Sequence, residues 1–122
     1  MRKVAVPFGV SQIAQVAALA SLEDLAVKEM NERVAALVSE RERIILALRN
    51  QGWNIEDAYA NFFWMPFGAD TERVTERFVA VGLSVRAFAG EGIRISIGER
   101  ETNDRVLTVC EDLKKDGFSL NN

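Results

Sequence analysis

The stretch Gly92-Ile93-Arg94-Ile95-Ser96-Ile97-Gly98 decides the fold. Strict alternation places Ile93, Ile95 and Ile97 on one face of a strand and Arg94 and Ser96 on the other. One face therefore meets apolar material, and Arg94 projects from the face left uncovered. Upstream, residues 89–91 read as a turn and Leu83 to Phe88 as a second strand carrying Arg86 in Ser84-Val85-Arg86-Ala87-Phe88. Further upstream, residues 60–67 are rich in aromatics and end at Gly68, the pattern of a buried strand. Between the first and second strands, Asp70 or Thr71 opens a helix that runs to about Val81 and stops at Gly82. After the third strand, Thr102 or Asn103 opens a last helix reaching about Asp116, ahead of Gly117.

Two helices precede this arrangement. Ser11 is placed to cap a short one ending near Ala20, whose Ile13, Val16, Ala17, Leu19 and neighbours point almost all the way round the axis. A helix apolar on every side needs cover on every side, and little material is at hand to supply it. Ser21, followed by Glu23 and Asp24, then caps a long helix over 22–51 stopped by Gly52. Val27, Met30, Val34, Leu37, Val38, Ile45 and Leu48 form its apolar stripe. Glu40-Arg41-Glu42-Arg43 reads as a solvated charged face. The order of elements gives an α+β fold: a small three-stranded, mainly antiparallel sheet with helices on one face, preceded by a long linking helix. Strand register is not fixed by these patterns.

Composition narrows the chemistry. The 122 residues carry 15 Lys and Arg against 18 Asp and Glu, with no His, so histidine metal sites and histidine acid–base catalysis are excluded. A net charge of -3 gives no basic footprint for nucleic acid or anionic lipid. No run approaches the roughly 18 apolar residues of a membrane span. Pro7, Gly9, Ser11, Gln12 and Gln15 break up the apolar stretch that a secretory signal would keep whole. Pro7 and Gly9 make residues 2–10 an extended lead-in. One cysteine, Cys110, forms no internal disulfide, and a cytoplasmic setting is expected.

The candidate ligand-binding residues are few. A guanidinium in mid-strand is a rigid two-pronged donor for a carboxylate or phosphate, which makes Arg94 the first candidate and Arg86 the second. On spacing alone the ordinary reading is that Glu91 and Glu99 pair with both arginines on a wet sheet face. Asn61, beside Phe62 and Phe63, is by pattern a turn or edge residue. Trp53, Tyr59, Phe62, Phe63, Trp64 and Phe67 could line a pocket, with core packing the default. Cys110 reads as a small core residue.

Three segments together carry a resemblance: Arg2-Lys3-Val4-Ala5-Val6-Pro7-Phe8-Gly9-Val10-Ser11, Ala60-Asn61-Phe62-Phe63-Trp64, and Gly92 to Gly98 followed by Glu99 and Asn103. In this order and spacing they resemble the C-terminal third of the pyridoxal-phosphate aminotransferases of fold type I. The similar branch is that of histidinol-phosphate aminotransferase and aromatic amino acid (phenylalanine) aminotransferase. The resemblance implies that Arg94 grips the substrate α-carboxylate, that Arg86 stands nearby for an anionic end, and that Asn61 lies near the approach to the site. It also implies an amino acid and keto acid as substrates, a homodimer, and pyridoxal phosphate in the whole enzyme, held as a Schiff base on a lysine that follows Ser or Thr. Lys3, Lys28, Lys114 and Lys115 lack that setting, so no catalytic or cofactor-binding residue is expected in this chain, and the chain alone is expected neither to bind the cofactor nor to turn over. Residues 1–21 then resemble the end of a large cofactor domain and 22–122 the small domain with its linking helix. A stand-alone module sensing a small carboxylate, or an oligomerising interaction domain, remain the alternatives.

Overall fold

A computed structural model describes residues 9–121. The lead-in over 2–8 and Lys3 lie outside the described residues. The chain divides between Ala35 and Ala36 into two compact units, and the division falls within the long helix.

In the first unit, α1 spans Gln12–Ser21. The Ser11 hydroxyl caps it by accepting from the Ala14 N–H at 3.2 Å. No residue of α1 is buried, and Ile13 is 83% exposed. Helix α2 spans Asp24–Asn50. Ser21 does not cap it. Its hydroxyl instead donates back to the Ala17 carbonyl at 2.8 Å, which keeps Ser21 inside α1 and delays the start of α2 to Asp24.

The second unit holds the sheet. Strands β1 (Phe62–Met65), β2 (Arg86–Phe88) and β3 (Gly92–Ser96) form an antiparallel sheet in the order β1-β3-β2. Helices α3 (Thr71–Ala80) and α4 (Arg100–Lys115) complete the fold. Phe63, Met65, Ile93 and Ile95 join Ile44, Leu48, Val74, Phe78, Val106 and Leu113 in one buried cluster, so the helices cover a single sheet face. The α+β class and the small antiparallel sheet stand as the sequence indicates.

Several element ends of this unit also differ from expectation, three of them for a clear local reason. The first strand stops at Met65 because Pro66 has no N–H to offer a ladder. The second cannot start at Leu83, whose N–H donates to the Phe78 carbonyl and closes α3. The last helix starts at Arg100, so Asn103 is an interior, buried residue and not a cap. Helices α2, α3 and α4 share one terminus: Gly52, Gly82 and Gly117 adopt φ of 87°, 73° and 88°, and the residue after each glycine donates five residues back.

Candidate carboxylate-binding face

Register builds the site. Trp64 of β1 and Arg86 of β2 both stand opposite Arg94 of β3, while Phe62 pairs with Ser96 and Phe88 with Gly92. Directly opposed residues share a face, so Phe62, Trp64, Arg86, Phe88 and Arg94 all lie on the side away from the core. The expected emergence of Arg94 from the uncovered face is what the sheet shows.

The arginines meet rings and not acids. Arg94 Cζ lies 5.0 Å from the Phe62 ring centre, and Arg86 Cζ lies 5.1 Å from that of Phe88. Trp64 and Phe88 pack edge to face with centres 5.5 Å apart. Among the described residues neither Glu91 nor Glu99 pairs with either arginine, against the ordinary reading of the spacing. Glu91 instead serves through its backbone, accepting from the Gly68 N–H at 2.9 Å. Acidic partners are spent elsewhere: Arg43 on Glu40 and Asp104, Arg49 on Asp57, Arg73 on Asp70 and Arg77 on Asp116. The sheet thus presents two guanidinium groups on an aromatic surface, without a carboxylate partner among the described residues, a setting that suits an organic anion.

Beside β1 runs a groove of about 450 Å³ whose walls include Ile55, Tyr59, Phe62, Trp64 and Pro66. It shares Phe62 and Trp64 with the arginine face. Gly92 permits this layout, since a Cβ there would come within 2.7 Å of Trp64 Cζ2. The remaining aromatics divide as burial dictates. Trp53, Phe63 and Phe67 are core, while Tyr59 is 86% exposed. Cys110 is buried, and desolvation pushes its thiol up to about 12. Asn61 is exposed just ahead of β1, its carbonyl accepting from the Ile97 N–H at 2.8 Å. No hydrogen bond of its side chain ties it to either arginine among the described residues.

A second constellation steadies the strand. Asn103, 1% exposed, accepts from the Gly98 N–H at 2.9 Å and donates to the Gly98 carbonyl at 2.8 Å and to Glu40 at 3.1 Å. Glu40 also takes two bonds from Arg43, which hold its carboxyl below the ordinary range. The spacing reading places Glu40 and Arg43 on a solvated face. The structure makes them a link from α2 to α4 and the end of β3. A polar residue at an inward position of α4 is the signal that could have found it.

The three strands contribute no lysine. The face can hold a carboxylate but contains no amine to which an aldehyde cofactor could be joined. Among the described residues no cluster of metal-binding side chains occurs, and no helix is long and apolar enough to cross a membrane.

The comparisons with known proteins point one way. The family model for aminotransferase class I and II matches residues 1–109. An aromatic amino acid aminotransferase of Streptomyces avermitilis is 48% identical over 95% of this chain, and its counterpart from Thermobifida fusca is 46% identical over 94%. Each match covers 32% of the relative, so the chain spans about a third of the length of these curated relatives. A crystal structure of a candidate aminotransferase from Burkholderia pseudomallei superposes with a TM-score of 0.73 at 27% identity, covering 91% of this chain and 35% of that one. The chain belongs to the class I and II aminotransferase family.

Proposed function

We propose that this chain supplies the substrate grip of an aminotransferase acting on aromatic amino acids and their keto acids. Arg94 takes the α-carboxylate through its terminal nitrogens, and Arg86 stands alongside to hold anionic charge near it. The observation that carries this reading is the pair of guanidinium groups facing each other across β2 and β3 without a carboxylate partner among the described residues. The groove shared with Phe62 and Trp64 offers apolar contact for an aromatic ring. Names carried by the relatives favour aromatic amino acids over histidinol phosphate as substrate. Asn61, exposed just ahead of β1, is assigned to the approach to the site on the family resemblance. The whole enzyme carries pyridoxal phosphate on a lysine outside this chain, and the cofactor there relays the amino group between amino acid and keto acid. It acts in the cytoplasm as a homodimer.

The test is a titration of the chain with 3-phenylpropionate, followed through the amide signals of the sheet. Shifts are expected to centre on β3 and to weaken by about tenfold or more in Arg94→Lys, which keeps the charge and loses the fork. Equal affinity in that variant overturns the role of Arg94. The chain alone is expected to give no transamination of phenylalanine with 2-oxoglutarate when pyridoxal phosphate is supplied, and sustained turnover overturns the assignment of the chemistry to residues elsewhere.

A further inference from the structure

The Arg94 guanidinium has an aromatic ring beside it and no acid among the described residues. The Nε of Arg94 is buried and has no hydrogen-bond partner among the described residues. Its guanidinium lies over the Phe62 ring with 5.0 Å from Cζ to the ring centre. The register explains why that ring is available. Phe62 faces Ser96, two residues along β3 from Arg94, so ring and guanidinium are diagonal neighbours on one sheet face. Trp64 occupies the directly opposed position and packs towards Phe88, leaving the Phe62 side to the guanidinium. An arginine on an open face ordinarily samples many rotamers, and a flat ring beneath the charged plane narrows that set by cation–π attraction. With Nε enclosed, the terminal nitrogens are the donors left to a ligand.

We propose that Phe62 is a positioning residue: its ring fixes Arg94 so that the guanidinium meets a carboxylate end-on through both terminal nitrogens. The proposal rests on Arg94 being the carboxylate anchor, but the stacking belongs to the free chain and can be read without ligand. In the ¹⁵N-labelled 122-residue chain, the Arg94 Nε–H signal is expected to be shifted upfield by the ring and to exchange slowly with water. Phe62→Leu is expected to abolish the shift and speed exchange about five- to tenfold, the factor of a cation–π contact, while Phe62→Tyr keeps both features. The amides of Ile93 and Ile95 report whether the strand is intact. Should they move in Phe62→Leu, Phe62→Met, which fills the space without a ring, answers the same question. An unchanged Nε–H signal in a ringless variant with an intact strand overturns the proposal. Titration with 3-phenylpropionate separates the two ideas. Undiminished binding by Arg94→Lys removes the anchor and leaves the stacking standing; loss of binding there, with full binding and an unchanged Nε–H in the ringless variant, keeps the anchor and removes the role of Phe62.

Discussion

Glu40 shows how far a single residue can depart from its pattern. Within Glu40-Arg41-Glu42-Arg43 it looks like one member of a charged surface run, yet it joins Arg43 and Asn103 in a partly buried link. Its carboxyl is held below the ordinary value, first by the Arg43 hydrogen bond and then by Asn103, against some desolvation. The sign follows. A group whose folded-state pKa is depressed adds stability above its unfolded value, and that stability is lost as pH falls through the folded value. In urea unfolding, the advantage of the native chain over Glu40→Gln is therefore expected to be full near about pH 6 and to shrink towards about pH 3. A constant gap across that range would remove Glu40 from the link. Arg94 was legible from alternation alone, because a period of two leaves no choice of face. Its partner was not: which ring lies beside a guanidinium depends on register, and register depends on strand ends that Pro66 and Leu83 set locally.

At the level of the element, β3 carries the candidate arginine, and Gly92 lets β1 pack close beside it. This glycine has no need of unusual dihedral freedom; what matters is space. A methyl group at 92 would press on the Met65 carbonyl oxygen and stand 2.7 Å from Trp64 Cζ2 and 2.9 Å from Pro66 Cα. Gly92→Ala is expected to lower the free energy of unfolding by about 1–3 kcal/mol, an overpacking cost readable as a shift in urea midpoint. A midpoint within error of the native chain would show that β1 and β3 part without strain. The long helix was legible to within two residues at its start and one at its end, since Gly52 and the apolar stripe mark it. The short strands were overread, because aromatic and β-branched residues also fill the segments that lead into and out of a sheet.

For the molecule as a whole, burial is unevenly shared. The cluster runs from Ile44 to Leu113, whereas α1 buries nothing and α2 buries only Ile44, Ile45 and Leu48. Segments with few buried contacts open most readily. Brief digestion with trypsin is expected to cut first after Lys28 or Arg33 and to leave a resistant piece containing the sheet, α3 and α4, as mass spectrometry would show. Resistance at those sites equal to that of α4 would contradict it. The sequence already marks α1 as a helix short of cover, and the exposure of Ile13, Val16 and Leu19 agrees. The Asn103 link was out of reach for a different reason: it joins residues 63 positions apart in sequence, and no local pattern records such a meeting.

The crowding around Gly92 also limits how this protein can drift over generations. Replacing the Trp64 indole by a smaller side chain frees one wall, but the Met65 carbonyl and the Pro66 backbone remain in place. A side chain at position 92 therefore carries a cost whatever stands at 64, and shrinking Trp64 relieves only part of it.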